Sequence, residues 1–191
     1  MADGSGVADG GRLANVVSMT VLLRPATETD QIRVGALHQR SRVAAYADLL
    51  SVEILEARSA EAFGEWWAER WRWEQETHRM TVAEDDGELV GFSYIGPSET
   101  AGAAELYAIH VDPSRVGTGV GRALMIRALA DLPGIGGDRA VLWVLEDNRT
   151  ARAFYENGGW KPDGATRTEP INGIPVPQLR YTHPLNPRPG A

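Results

Sequence analysis

Residues Glu105 to Leu124 read E-L-Y-A-I-H-V-D-P-S-R-V-G-T-G-V-G-R-A-L, and this stretch decides the fold. Leu106, Ile109 and Val111 are apolar within a short β-prone run. Asp112-Pro113 ends that run. A proline has no N–H for a ladder and disfavours helix in the residue before it. Gly117, Gly119 and Gly121 then come at every second position. From Val120 the apolar spacing becomes helical, through Leu124, Ile126, Ala128 and Leu129. The pattern predicts strand, corner, glycine loop, helix.

A helix start carries unpaired N–H groups and a partial positive charge, so it suits a phosphate. Glycines without side chains let a pyrophosphate approach the backbone closely. The plainer alternative is a tight turn and nothing more. Three alternating glycines between a strand and an apolar helix favour anion binding. The run is not a P-loop, since no Gly-Lys-Ser/Thr follows, and it is not G-x-G-x-x-G either.

The stretch resembles the acetyl-CoA-binding motif of the GNAT superfamily of N-acetyltransferases. That motif is a strand, V-x-P, then [Q/R]-x-x-G-x-[G/A] entering a helix. Val111-Asp112-Pro113 matches V-x-P, and Val116-Gly117-Thr118-Gly119-Val120-Gly121 occupies the loop. Val116 stands where the family prefers Gln or Arg, with Arg115 beside it.

A second stretch, Asn148 to Trp160, resembles the family's N-x-x-A-x-x-[FL]-Y-x-x-x-G-[FW]. Ala151, Phe154 and Tyr155 stand at helical spacing there. Alone, Asn148 reads as a helix cap and Tyr155 as a buried aromatic. The two motifs in family order carry the resemblance. It implies a mixed α/β sheet of about 6–7 strands flanked by helices, a GNAT-like acyltransferase fold.

Outside the motifs, the 191 residues fit one domain, taken as 19–185, between tails at 1–18 and 186–191. Val21 to Pro25 reads as a strand. Thr27 starts a helix to about Tyr46, with Ile32, Leu37 and Ala44 as buried candidates. A second helix follows Ser51. Phe63, Trp67 and Trp71 form one helical stripe. Trp66 and Trp73 fall off it, as walls of a ligand pocket or as a subunit contact in a homodimer. Asp86-Gly87 turns a hairpin between strands Met80–Glu84 and Leu89–Ile95. Ala140 to Leu145 is a continuously apolar strand. Trp160 opens another, and Gln178 to Thr182 is the last. Leu185 to Ala191 should fray.

Net charge is −7 without a basic cluster, which argues against nucleic acid as a partner. The chain has no Cys, which excludes disulfides and a thiol nucleophile. Four His without H-x-x-x-H spacing argue against a metal. No apolar run approaches the roughly 20 residues of a membrane span. The N-terminus lacks the pattern of a signal peptide, so a cytoplasmic location is expected.

Acetyl transfer to an amine needs a base for the amine proton, an N–H facing the thioester oxygen, and a proton for the departing thiolate. The resemblance implies acetyl-CoA as co-substrate and two neighbouring parallel strands that splay apart. It assigns the amides of Ile109 and Val111, flanking His110, to the pantetheine arm, with Ile109 as oxyanion donor. It places the pyrophosphate over Val116, Gly117, Thr118, Gly119, Val120 and Gly121, with Arg122 near it. Asn148 would touch the pantetheine and Tyr155 would protonate the thiolate.

Two readings fit Glu105: a general base at the head of the site strand, or a solvated strand-start carboxylate. His110 is the next base candidate, although strand parity sets it opposite Ile109 and Val111. Family geometry puts the first helix and its following loop beside the thioester. His38, Arg42, Tyr46, Trp66 and Trp67 are therefore acceptor candidates. The acceptor would be a primary amine of a small molecule or peptide. An acidic chain tolerates cationic ones such as polyamines, although net charge does not choose. The competing function is a non-catalytic CoA-binding regulatory module of the same fold.

Overall fold

The computed structural model describes residues 21–185. Both expected tails, 1–18 and 186–191, lie outside them. Strand β1 (Leu22–Pro25) leads to helices α1 (Gln31–Tyr46), α2 (Val52–Glu56) and α3 (Ala60–Glu74). Strands β2 (Arg79–Asp85), β3 (Glu88–Pro97) and β4 (Ala103–Val111) follow, then helix α4 (Val120–Asp131). Strand β5 (Arg139–Leu145), helix α5 (Arg149–Asn157) and strands β6 (Lys161–Ile171) and β7 (Ile174–Pro184) complete the fold. The seven strands form one mixed sheet, ordered β1-β2-β3-β4-β5-β7-β6. All neighbours are antiparallel except β4 and β5.

Local chemistry explains these elements. Asp86 and Gly87 turn the β2–β3 hairpin at φ 50° and 78°, the double positive φ that suits the twist of the flanking strands. Asp30 locks β1 to α1. Its carboxylate accepts from Arg24 at 2.7 and 2.8 Å and from the Thr27 N–H at 2.8 Å. The Arg24 guanidinium holds that carboxyl well below its usual range.

Two cores lie on opposite faces of the sheet. Leu106, Met125, Leu132 and Leu142 pack under α4 and α5. Leu37, Trp67, Phe92 and Tyr94 pack under α1 and α3. Phe63 and Trp67 are buried and Trp71 packs partly against the second core, as the stripe predicts. Trp73 is 81% exposed. Among the described residues no helix is long and apolar enough to cross a membrane.

Three expectations need correction. Ile32 is exposed and Ala44 faces solvent, while Leu37 is fully buried. The buried side of α1 is Val34, Leu37 and Ser41, because that side packs on the sheet, against Phe92 and His110. Leu185 does not fray: it is buried, and its N–H donates to the Asp138 carbonyl at 3.0 Å. The last two strands form one long hairpin turned by Asn172-Gly173 at φ 48° and 84°. Pro170, Pro175 and Pro177 mask it in the sequence. Proline fits at 170 because β6 is an edge strand, and at 175 and 177 because β7 pairs with β5 only from Gln178 onward.

Helices α1 and α3 meet through paired glycines. A Cβ on Gly35 would stand 2.2 Å from the Gly64 nitrogen and 2.4 Å from its Cα. These are backbone atoms, so neither helix can yield locally. Alanine gains about 1 kcal/mol of helix propensity, and overpacking costs about 1–3 kcal/mol or more. Because the clash is with backbone, the upper end of that cost applies, and Gly35→Ala should lose about 2 kcal/mol net, read as a lower urea midpoint. A midpoint unchanged or raised would show that the helices do not touch there.

Candidate functional site

Strands β4 and β5 pair at only three positions: Ala103 with Arg139, Ala104 with Ala140 and Glu105 with Val141. Beyond Glu105 they part, although both strands continue. On its other edge β4 stays paired to β3 as far as Val111. The Asp112 N–H donates to the Val90 carbonyl at 2.9 Å. Along an antiparallel ladder, successive residues turn their N–H alternately toward and away from the partner strand. Counting back through the register, His110 and Ala108 face β3. Ile109 and Val111 turn their N–H groups into the gap.

A β-bulge sits in this strand. Tyr94 pairs with Ala108 and Ile95 with Leu106, which leaves Tyr107 as the extra residue. An extra residue shifts the alternation of side chains. Ala104, Leu106 and Ile109 therefore join the core under α4 and α5. Glu105, Tyr107 and His110 all line a cleft on the α1–α3 face. Simple parity had set His110 apart from Glu105, and the bulge brings them together.

The glycine loop follows a short 3₁₀ turn, Pro113–Arg115. Gly117 and Gly119 stand at φ 81° and 97°, and Gly119 is the N-cap of α4. A Cβ on either would meet no protein atom within 4 Å. The space before the helix start is open, and any side chain would project into it. Val120 is buried and fixes the helix start through its side chain. Only its backbone can serve a ligand. Gly121 has room for a Cβ at ordinary contact, 3.4 Å from Val111 and 3.5 Å from Phe154. Val116 and Arg122 are exposed at the loop. The Thr118 hydroxyl donates to the Arg115 carbonyl at 2.7 Å. Arg115 is ion-paired to Asp85 at 2.8 Å, so its guanidinium is held toward β2.

Asn148 caps α5, accepting from the Ala151 N–H at 3.0 Å through its side-chain oxygen. Its remaining polar group is the amide NH2. Tyr155 packs against the core under α4 and α5. Burial raises its phenol pKa, and Tyr46 adds to the shift. The hydroxyl therefore holds its proton at neutral pH.

The cleft has a volume of about 250 Å³. His38, Arg42 and Tyr46 reach it from α1, and Trp66, Trp67 and Arg70 from α3. All five acceptor candidates of the sequence are thus brought together beside Glu105. The sequence reading missed Arg70, Trp143, Arg167, Ile171 and Gln178, which also line it. Four of these sit on β5, β6 and β7, whose ends no motif marks. A shallower groove of about 410 Å³ beside Ile32 and Trp73 includes no residue of β4 or β5.

Glu105 is 7% exposed and accepts from the Ser98 hydroxyl at 2.7 Å. Burial raises its pKa, while Ser98 and the guanidinium of Arg167 partly oppose the shift. The solvated-carboxylate reading of Glu105 fails on this burial. The His110 ring stacks on Phe92 and its Nδ1 bonds the Ser41 hydroxyl. Burial pushes it down to about 4. The Trp67 indole N–H donates to His38 Nδ1 at 3.1 Å. Burial and His110 hold His38 well below its usual range as well. Both imidazoles are neutral at pH 7. Among the described residues no three acidic or His side chains gather as metal ligands would.

Residues 31–160 match the sequence profile of the acetyltransferase (GNAT) family. A probable N-acetyltransferase of Mycobacterium tuberculosis, Rv2775, is 33% identical over 104 residues, covering 53% of this chain and 58% of that protein. A mycothiol acetyltransferase of Beutenbergia cavernae is 42% identical over 77 residues, 40% of this chain and 26% of that protein. The chain thus spans about a quarter of one relative and little over half of the other. A solved PaiA N-acetyltransferase of Thermoplasma acidophilum, in complex with coenzyme A, superposes with TM-score 0.72 at 20% identity. That likeness covers 87% of this chain and 99% of the other, and it concerns the fold.

The buried imidazoles set a pH dependence of stability. Unfolded, His110 would bind a proton below about 6.5, whereas in the fold it does so only near 4. Its contribution is fully present above about pH 6.5 and is lost as pH falls from there toward 4. His110→Gln removes this titration. The wild-type urea midpoint should fall more steeply than the variant's across that window. Parallel curves would mean that His110 titrates normally.

Proposed function

The chain belongs to the acetyltransferase (GNAT) family, and from that premise we propose that it transfers the acetyl group of acetyl-CoA to a primary amine. The carrying observation is the parting of β4 and β5 after Glu105. It leaves the N–H groups of Ile109 and Val111 unpaired beside a cleft that holds a buried carboxylate. The relatives' names and the coenzyme A complex of the structural neighbour support the same reading.

The residues divide the work as follows. The start of α4 and the loop Val116 to Arg122 receive the pyrophosphate, because their N–H groups have no helical partner. The open space before Gly117 and Gly119 fits such a group. The Asn148 amide and the Val111 N–H hold the pantetheine arm. The Ile109 N–H faces the thioester oxygen and stabilises the charge that grows there. Glu105 takes the proton of the amine, directly or through one water, so that the nitrogen lone pair is free to attack. Tyr155 gives its proton to the sulfur as the C–S bond breaks. Direct attack in a ternary complex needs no residue that carries the acetyl group, consistent with a chain without Cys.

Coenzyme A release from acetyl-CoA with a panel of amines tests the activity, and calorimetry tests the binding. Gly119→Asp puts a charged side chain before the helix start and should greatly weaken acetyl-CoA binding without unfolding the protein. Unchanged affinity would move the site elsewhere.

Glu105→Gln should bind acetyl-CoA normally and lose about 10²-fold in turnover. In the wild type the acidic limb of the pH–rate profile should lie above the ordinary glutamate value of about 4.3, because burial raises Glu105. A limb that survives in the Gln variant would assign the base to another group. Tyr155→Phe keeps the ring and should lower turnover about tenfold with a similar acetyl-CoA affinity. Full turnover where chemistry limits the rate would reduce Tyr155 to packing.

A further inference from the structure

We propose that the acceptor is a small amine that also carries an anionic group, an α-amino carboxylate in its simplest form, and that Arg42 receives the anion. This rests on the acetyl-transfer reading above and narrows it to a substrate class. The chain as a whole is acidic, at net −7. The cleft is not. The guanidiniums of Arg42, Arg70 and Arg167 line it against one carboxylate, Glu105.

Two of these arginines are already engaged. Arg70 donates to both carboxylate oxygens of Glu74 at 2.8 and 3.1 Å. Arg167 donates to Gln178 Oε1 at 2.8 Å, has Glu169 at 3.9 Å, and lies 4.3 Å from the ring centre of Trp143. Arg42 differs. It is 8% exposed, the hydrogen bond its side chain makes goes to the backbone carbonyl of Leu55 at 3.3 Å, and its guanidinium lies 5.7 Å from the ring centre of Phe63. Among the described residues no carboxylate pairs with it. Burial disfavours its charge, Tyr46 partly opposes that, and the nearby guanidinium of Arg58 adds to it. A buried cation without a counter-charge is costly unless something pairs with it. The neutral imidazoles of His38 and His110 leave that role open.

The dimensions limit the rest of the molecule. About 250 Å³ lies below the roughly 300–1,000 Å³ of drug-sized sites. The tip of the β6–β7 hairpin also reaches across. The Asn172 side-chain amide donates to the carbonyl of Ile54, the neighbour of the residue that binds Arg42. Ile171, beside it, lines the cleft with Trp66 and Trp143. The site therefore offers an anion partner, a proton acceptor and apolar walls for a short side chain. A long polycation suits neither its size nor its charge.

The test compares alanine, leucine and phenylalanine, each with its carboxamide, its decarboxylated amine, and 1,5-diaminopentane as the cationic control. Charge-assisted hydrogen bonds to Arg42 should favour an amino acid over its amide by about tenfold to hundredfold in kcat/KM. Arg42→Leu should bring that ratio toward one, and Arg42→Lys should restore part of it. A variant that is merely less folded lowers both rates and keeps the ratio. The proposal is overturned if an amide, amine or diamine matches the amino acids, or if the ratio survives in Arg42→Leu. Suppose acetyl-CoA binds in calorimetry but no amino acid turns over or binds the CoA-loaded protein. Then the substrate class is wrong and the cofactor reading stands. Failure of acetyl-CoA itself to bind removes both.

Discussion

The loss of pairing between β4 and β5 after Glu105 is the constraint on which the rest depends. Buried backbone N–H groups are normally satisfied by the next strand. Here the next strand leaves while β4 runs on to Val111. The bulge at Tyr107 supplies a local cause, because an extra residue bends a strand and increases its twist. The same bulge sets which side chains face the cleft. One irregularity thus opens a seam of unpaired amides and turns Glu105 and His110 to one side of it.

Electrostatics at the seam runs opposite to the surface. The surface is acidic, whereas the cleft holds guanidiniums, neutral imidazoles and a carboxyl whose burial favours its protonated form. Burial is the largest cause of every one of these shifts. Burial keeps His38 and His110 uncharged beside Arg42 and raises the pKa of Glu105. The aromatic wall from α3 supplies part of that burial. Trp66 and Trp67 meet edge to face at 4.7 Å, and Trp67 also closes on Phe92 and Tyr94.

The fold was largely legible because its signals are local. Val111-Asp112-Pro113, the alternating glycines and Asp86-Gly87 each dictate backbone geometry within a few residues. The acceptor candidates on α1 and α3 were legible from where the family places those elements. What escaped depends on long-range register. The bulge at Tyr107 has no proline or glycine to announce it, and it is set by pairing with β3. Arg167, Ile171 and Gln178 reach the cleft only because β7 enters the sheet between β5 and β6. Prolines on both strands hid that hairpin. That no carboxylate among the described residues pairs with Arg42 is likewise a tertiary fact, since its neighbours in space come from α2 and α3.

Amide hydrogen exchange along β4, residue by residue, tests the central claim most directly. Ala108 and His110 donate to β3 and should be protected in the free protein. Ile109 and Val111 should exchange faster than both, and saturating acetyl-CoA should slow these two most among the β4 amides. The account is contradicted if Ile109 and Val111 are already as protected as their neighbours, or if acetyl-CoA binds and leaves their exchange unchanged.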